Sequence, residues 1–316
     1  MLIKTLVTRA IKQDRPANIL CYYCDGFFER MLAETGHRFF GNNTNSVFRW
    51  GVTDPIPNTT EIPSKMDVNL TDATFDLIIT NDRFKQVQHA SGFASAIGVP
   101  IIQVDHSGKP TQVADELYNE VWSKTQNLPI DVVRTSKGGL DWSNTDTMIP
   151  YFWPDNTGGE KSLEVLISGR FNQSEYKLVE EILGNFDDAA VIGPNPGFSE
   201  PVSWEEYCQL FQSAKVYISL ATDSNLPHGI GMAANSGCAI VSNRIPAVEE
   251  FNTNGGISIG KNVPEIVELA QNLLASEKFL EKRQQDAAGL NTGSRDEFVG
   301  AWNELIERVR YKTVVR

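Results

Sequence analysis

The stretch from about Glu205 to Ala275 constrains the fold of this chain more than any other, because helical and strand-like segments alternate along it. Two short apolar segments are typical of strands, Val216–Leu220 and Cys238–Val241. Between them, residues 223–237 give a turn rich in Gly, Pro and Asn and then small residues that suit a helix. This order is how parallel α/β sheets build phosphate sites, since glycine lets backbone approach a ligand and a helix start offers N–H groups to an anion. The turn therefore predicts a nucleotide or nucleotide-sugar ligand.

The same alternation runs through the rest of the chain and predicts βαβ units in a mostly parallel sheet. A second series of strands and helices begins at Leu163–Ser168, after a linker over 154–159. Ser203 and Glu206 have capping-box spacing, and the final helix, about 295–310, carries an apolar face. The predicted fold class is α/β, with two Rossmann-like doubly wound domains that face a central cleft. The predicted domains are 1–153 and 154–294, with the C-terminal helix 295–316 packing back on the first.

Composition sets limits on the function. The chain has 316 residues, of which 41% are hydrophobic and 22% charged, and this suits a globular protein. Its net charge of −12 disfavours a general nucleic-acid coat, because phosphate binding depends on Lys and Arg. We find no apolar run long enough to span a bilayer and no segment typical of a signal peptide. The expected location is cytoplasmic, or the host cytoplasm if the chain is phage-encoded.

Two of the four cysteines, Cys21 and Cys24, have the spacing of a thiol redox motif. Because Cys21 falls in a predicted apolar strand, buried structural thiols are the favoured interpretation, and a redox protein stays as an alternative. Neither these cysteines nor the acidic residues form a metal-binding pattern, so no metal site is predicted.

Several motifs of the second half are more specific. They are a strand that ends in Gly-Arg (Val165–Arg170), a later lysine (Lys177), a helix that ends in Gly before a strand (Ala233–Ser242), and a Pro-Glu turn (Ile245–Glu250). Together they resemble the retaining glycosyltransferases of the large family-4 group, which have the GT-B architecture. The resemblance is strongest over 163–285 and weaker over 18–153. A shorter run, Asp105-His106-Ser107, is similar to one in phage DNA α-glucosyltransferases.

The resemblance implies roles for particular residues. His106 would face the donor sugar, and Arg170 and Lys177 would stabilise the leaving diphosphate, since fixed cations favour developing negative charge. The predicted donor-binding residues are Ser224, Asn225, Leu226, Pro227, His228, Gly229, Ile230, Glu249 and Glu250. Asp25 and Gly26, after the first strand, are predicted to approach the acceptor or the diphosphate. Each has a structural alternative: an ion pair for Arg170, a buried structural ring for His106, a tight turn at 224–230, and helix-start charges for the glutamates.

One feature departs from the family, whose members usually carry two glutamates around this turn. Aligned on Gly237, these fall on Ser224 and Met232, and a methionine is a poor acceptor for ribose hydroxyls. Asp223, beside the first position, is a candidate substitute. The departure leaves open a catalytically inactive GT-B-like binding subunit.

The resemblance also implies the partners. No cofactor or metal is expected to be required, and the co-substrate is a nucleotide-sugar, with a UDP-sugar favoured. The expected acceptor is a saccharide or small molecule. Modified DNA, with transfer to a hydroxymethyl-pyrimidine base as in phage enzymes, is the alternative, and its binding would weaken as salt rises.

Overall fold

The computed structural model describes residues 15–22, 26–41, 51–62, 74–81, 86–106, 130–135, 147–195, 197–220, 228–290 and 293–311. These residues fall into two compact units. The first draws on the ranges Met1–Asn45, Pro55–Tyr151 and Asp296–Arg316, and the second on Ser46–Asp54 and Phe152–Arg295. Each unit is built on a parallel sheet with helices between the strands, which confirms the predicted α/β class.

The first unit has a sheet of order β3-β2-β1-β4-β5-β6, with every adjacent pair parallel. Its described elements are β1 (Asn18–Cys21), α1 (Gly26–Ala33), β2 (Arg38–Gly41), β3 (Thr59–Glu61), β4 (Leu77–Asn81), α2 (Gln86–Ile97), β5 (Ile101–Asp105) and β6 (Ile130–Arg134). The central strands β4 and β5 are buried along their whole length, as expected for strands covered on both faces. The chain reverses its direction across the sheet between β1 and β4, so their carboxyl ends mark this sheet's favoured ligand position.

The second unit has a sheet of order β11-β10-β9-β7-β8, again parallel throughout. Its described strands are β7 (Leu163–Ser168), β8 (Ala189–Ile192), β9 (Ala214–Ser219), β10 (Ala239–Asn243) and β11 (Ile257–Gly260). Its described helices are α3 (Gln173–Leu183), α4 (Trp204–Ser213), α5 (His228–Asn235), α6 (Pro246–Phe251), α7 (Val263–Leu274) and α8 (Glu277–Ala288). Apolar residues of β7, β9 and β10 form one buried core with α3 and α7.

The last described helix is α9 (Arg295–Arg310), which belongs to the first unit apart from its first residue. The apolar face predicted for this helix is buried and consists of Phe298, Trp302, Leu305 and Val309. The Trp302 ring lies 6.0 Å from the Phe28 ring of α1, centroid to centroid. At 16 residues α9 is longer than the other described helices, and none of them combines the length and apolar composition needed to cross a bilayer.

The described residues 51–54 pack with the second unit, although the sequence placed them in the first domain. Val52 pairs with Val202 as an isolated parallel bridge, and the Thr53 N–H donates to the Val202 carbonyl at 2.8 Å. A Cβ added to Gly51 would lie 2.4 Å from the Gly193 carbonyl carbon, so the two backbones are in direct contact. These contacts were not predicted because the backbone pairing of Val52 with Val202 joins residues 150 positions apart and leaves no local pattern.

His37 makes the stability of the first unit depend on pH. The ring is buried, and its Nδ1 accepts a hydrogen bond from the Ala17 N–H at 3.1 Å, which requires the neutral form. Burial first, and then the positive charge of Arg310, lower the pKa of His37 to about 4. Between that value and the unfolded value near 6.5 the unfolded chain binds more protons, so stability present at pH 7 is lost as the pH falls.

Between pH 7 and pH 4.5 we therefore expect the unfolding free energy to fall less in His37→Gln than in the wild type. The difference between the two decreases should be roughly 2 kcal/mol. Urea unfolding at the two pH values measures this difference. His89 is exposed on α2, so His89→Gln is the matched control and should keep the wild-type pH dependence. An equal pH-dependent loss in the wild type and the His37 variant would show that this ring is not the source.

Candidate ligand site at the carboxyl edge of the second sheet

The order of strands in the second sheet gives a favoured ligand position without reference to any relative. β7 and β9 are neighbours, with Leu166 opposite Tyr217 and Ile167 opposite Ile218. From β7 the chain continues to β8 on one side, whereas from β9 it continues to β10 and β11 on the other. Ligands of open α/β sheets bind at the carboxyl ends of strands where the order reverses, which here are the ends of β7 and β9.

Arg170 follows the carboxyl end of β7. Gly169 precedes it with φ +158°, a conformation that residues with a side chain rarely adopt. The Arg170 side chain is exposed and makes no hydrogen bond or ion pair to any described residue. The ion pair that was the structural alternative is thus absent from the described part of the chain, and the guanidinium remains available to an anion.

The helix that follows β9 begins at this same edge. His228 is the first residue of α5, and Gly229 and Ile230 lie in its first turn. The predicted donor-binding residues Ser224, Asn225, Leu226 and Pro227 lie outside the described residues, as does Asp223. The first residues of α5 and Arg170 therefore follow neighbouring strands, as an anion site at a helix start would require.

Gly229 has a packing role that differs from the one predicted. A Cβ at this position would lie 2.0 Å from the Tyr217 hydroxyl oxygen and 2.5 Å from the Ser168 Oγ. These two hydroxyl groups are 2.9 Å apart and hydrogen bonded, and burial raises the pKa of Tyr217 to about 12. The sequence explained this glycine by the approach of a ligand, but here the absence of a side chain lets α5 contact the strands beneath it.

Met232 and Gly231 face the interior of the unit. Met232 is fully buried, so it does not occupy the exposed position that a ribose-binding residue needs. A Cβ on Gly231 would lie 2.1 Å from two carbon atoms of the Trp153 ring, which is itself 4% exposed. The Trp153 carbonyl in turn accepts a hydrogen bond from Asn235 Nδ2 at 2.7 Å. The segment at Trp153 thus holds α5 at both its second turn and its last residue.

Lys177 lies on the exposed face of α3 and makes no hydrogen bond or ion pair to the described residues. The start of α3 is closed by its own side chains: Asn172 Oδ1 accepts from the backbone N–H groups of Ser174 and Glu175, and Glu175 completes the capping box. These amides are therefore already used and are not free to bind an anion.

The two predicted glutamates of α6 differ in their surroundings. Glu249 is 49% exposed and pairs with Arg244, whose Nε lies 3.3 Å from its Oε1. It also lies in the first turn of α6, where a negative charge complements the helix dipole. The structural alternative for Glu249 accounts for these contacts. Glu250 is half-buried in the same helix, and its predicted contact with ribose or base stays a prediction.

His106 lies where predicted, directly after β5, but both nitrogens of its ring are hydrogen bonded to other residues of the first unit. It is 5% exposed, its Nδ1 is hydrogen bonded to the Tyr151 hydroxyl, and its Nε2 is hydrogen bonded to Asn81 Oδ1. Asn81 Nδ2 donates in turn to the Tyr22 carbonyl at 2.6 Å. With both ring nitrogens engaged, the imidazole has no atom left for a sugar hydroxyl in this arrangement. The predicted contact of His106 with the donor sugar would need one of these hydrogen bonds to be exchanged, and it stays a prediction.

The remaining residues that the sequence singled out are Asp25, Gly26 and the cysteines. Gly26 begins α1 and is buried, whereas Asp25 and Cys24 lie outside the described residues. Cys21 is 2% exposed inside β1, so it lacks the exposed thiolate of a redox centre, and a redox role for the Cys21 and Cys24 pair stays untested because Cys24 is not described. Among the described residues, no group of three or more His, Cys, Asp and Glu side chains is placed to hold a metal ion.

Asn195 was not predicted as a site residue. It follows β8, and its side-chain amide is hydrogen bonded to the backbone on both sides of Arg170. The signal was a cluster of turn-forming residues, Gly193 to Gly197, directly after a predicted strand. Such a cluster predicts a tight turn, but it does not predict which backbone groups the asparagine amide reaches.

Comparison with solved structures finds similar folds at low sequence identity. HepE of Anabaena (Alr3699), solved in complex with UDP-glucose, matches with a TM-score of 0.62 and 11% identity over 92% of this chain and 98% of that one. A UDP-N-acetylglucosamine 2-epimerase matches with a TM-score of 0.59 and 13% identity, over 96% and 98%. Sucrose-phosphate synthase of Thermosynechococcus elongatus matches with a TM-score of 0.56 and 12% identity, over 93% and 97%. No protein-family model matches the chain, and no curated protein matches its sequence.

These matches identify the fold and nothing finer, because the identities are low. Two parallel α/β units of GT-B type are shared with the epimerase and with CalG4, which is named as the calicheamicin glycosyltransferase and matches with a TM-score of 0.54 and 13% identity over 93% of this chain and 99% of that one. The fold therefore agrees with the predicted class, and function has to be argued from the site.

Proposed function

We propose that this protein is a glycosyltransferase that takes its sugar from a uridine diphosphate sugar. The observation that carries the proposal is the position of Arg170: an exposed guanidinium, unbonded to any described residue, directly after β7 and beside the strand that leads to α5. A diphosphate at this edge would meet a bidentate cation and the N–H groups of a helix start. UDP is favoured because HepE is a structural neighbour solved with UDP-glucose.

The chemistry follows from the charge that develops in the reaction. When the sugar leaves the donor, negative charge grows on the diphosphate, and fixed cations and amides placed beforehand lower the barrier. We assign this role to Arg170 and the start of α5, with Lys177 as a second cation. Retention of configuration is part of the proposal through the resemblance to family-4 enzymes, and the anomeric configuration of the product tests it.

The proposal gives the first unit the acceptor and the second the donor. A saccharide or small molecule remains the proposed acceptor. The net charge of −12 counts against modified DNA, which is kept as an acceptor to be tested.

A catalytically inactive binding subunit is the second candidate, and the burial of Met232 favours it. With this side chain in the core, the position aligned with the family's second glutamate does not supply a carboxylate to the ribose. The donor would then have to be held by residues of another position, or held without being used.

Incubation with UDP-glucose and a panel of acceptors, followed by NMR, separates these functions. The panel contains mono- and disaccharides and duplex DNA with hydroxymethylated bases. We expect release of UDP together with a new glycosidic signal. UDP-glucose that binds and stays intact would favour the inactive subunit, and inversion at a sugar carbon without an acceptor would indicate an epimerase. Either of the last two results overturns the transferase proposal.

A further inference from the structure

One side chain holds the backbone on both sides of Arg170. Asn195 is 1% exposed, and its Oδ1 accepts a hydrogen bond from the Phe171 N–H at 2.7 Å. Its Nδ2 donates to the Gly169 carbonyl at 2.9 Å. The single amide group of Asn195 therefore closes a ring that contains the residue proposed to bind the diphosphate.

The turn that carries Asn195 is itself tightly fixed. The Gly193 carbonyl accepts hydrogen bonds from the Asn195 N–H at 2.9 Å and from the Ser199 Oγ at 3.0 Å. Gly193 has φ +141°, and a Cβ on it would lie 2.1 Å from the Gly169 carbonyl oxygen. The two turns that follow β7 and β8 are thus in backbone contact, with no room for a side chain at Gly193.

We infer that Asn195 is a positioning residue that fixes the Gly169–Phe171 turn so that the Arg170 side chain meets a nucleoside diphosphate already oriented. This inference rests on the proposed function, because it assigns Arg170 to the diphosphate. A site held in advance binds more tightly, since less conformational entropy is lost when the ligand arrives.

The chemistry of the turn explains why this position is an asparagine. The turn presents one donor, the Phe171 N–H, and one acceptor, the Gly169 carbonyl, to the same planar group. An aspartate in the same place would turn a carboxylate oxygen toward the Gly169 carbonyl, and an alanine would leave the buried Phe171 N–H and the half-buried Gly169 carbonyl without this partner. Asn195→Asp and Asn195→Ala therefore remove the arrangement in different ways.

Limited digestion with trypsin tests the turn without any ligand, because trypsin cleaves after arginine. In Asn195→Ala we expect cleavage after Arg170 to become at least tenfold faster, mapped by mass spectrometry. Cleavage after Lys278, which is exposed on α8, serves as the internal reference and should not change. Asn185→Ala is the matched control, since that asparagine is exposed and donates to the Glu181 carbonyl outside the turn.

A double-mutant cycle tests whether Asn195 acts through Arg170. Calorimetric titration with UDP should show about tenfold weaker binding for Asn195→Ala in the wild-type background. In the Arg170→Ala background the same change should alter affinity by less than twofold, because the side chain to be positioned is gone. A merely structural role would weaken binding equally in both backgrounds.

Two results overturn the inference and remain distinguishable. Suppose first that the wild type binds UDP normally. Unchanged cleavage after Arg170, or an equal loss of affinity in both backgrounds, then rules out the role of Asn195 and leaves the proposed function intact. Failure of the wild type to bind UDP removes the proposed function, and the inference with it.

Discussion

Arg170→Ala is expected to weaken binding of UDP by about 100-fold while the fold stays intact. The two hydrogen bonds of a guanidinium to a phosphate contribute about 3 kcal/mol together when each lies at the low end of the range for charged groups, as expected at an exposed site, and this corresponds to roughly 100-fold. The side chain is exposed and has no described partner, so its removal should leave the unfolding free energy within about 0.5 kcal/mol of wild type. Titration calorimetry with UDP measures the loss, and urea unfolding checks the fold.

Two further variants give this prediction its controls. Arg170→Lys keeps the charge without the planar fork, so we expect an intermediate loss of roughly tenfold. Lys278→Ala removes an exposed cation of α8 from the same unit and should bind UDP as the wild type does. Wild-type affinity in Arg170→Ala would show that the diphosphate, if bound, lies elsewhere.

Gly231→Ala is expected to destabilise the second unit by about 3 kcal/mol. The added methyl group would lie 2.1 Å from two ring carbons of Trp153, well inside van der Waals contact. The ring is 4% exposed and packs against His228 and Phe251, with centroid distances of 6.5 Å and 5.9 Å, so it has little room to move. Overpacking of a filled core costs about 1–3 kcal/mol and occasionally more. Urea unfolding followed by circular dichroism measures the loss.

Gly300→Ala is the same substitution at another position, where we expect it to stabilise the protein. This glycine lies inside α9, and a Cβ added to it meets no atom within 4 Å. The substitution should therefore stabilise the protein by about 0.5–1 kcal/mol through helix propensity alone. If both glycine variants had the same stability, the contact between α5 and Trp153 would not be the constraint described above.

Local sequence patterns predicted much of the fold because they report local physics. β7 and α9 begin and end where the apolar patterns predict, and Ser203 caps α4 with Glu206 as its spacing requires. The parallel α/β class follows from the order of such elements. The strands β6 and β11 and the helix α8 were not predicted, since β6 carries the charged residues Asp131 and Arg134, β11 has only two strongly apolar residues, and α8 has a largely polar surface.

The candidate site shows what such patterns leave out. The sequence placed Arg170 at the end of a strand, and the strand order then supplied an independent reason for a ligand there. The hydrogen bonds of Asn195 to the turn around Arg170, and the use of both His106 nitrogens inside the first unit, arise from contacts between distant segments. The sequence alone does not show whether a glycine makes room for a ligand or, like Gly229, for a neighbouring tyrosine side chain.

The central claim, that the edge formed by β7 and β9 binds a nucleoside diphosphate, is tested most directly by the melting temperature with UDP, UDP-glucose and uridine. A ligand at 100 times its Kd stabilises the folded state by about 2.7 kcal/mol, which for units of this size is a rise of roughly 5–10 °C. We predict such a rise with UDP and UDP-glucose, a much smaller one with uridine, and its loss in Arg170→Ala. No change with millimolar UDP or UDP-glucose, or an equal rise with uridine, would contradict the claim.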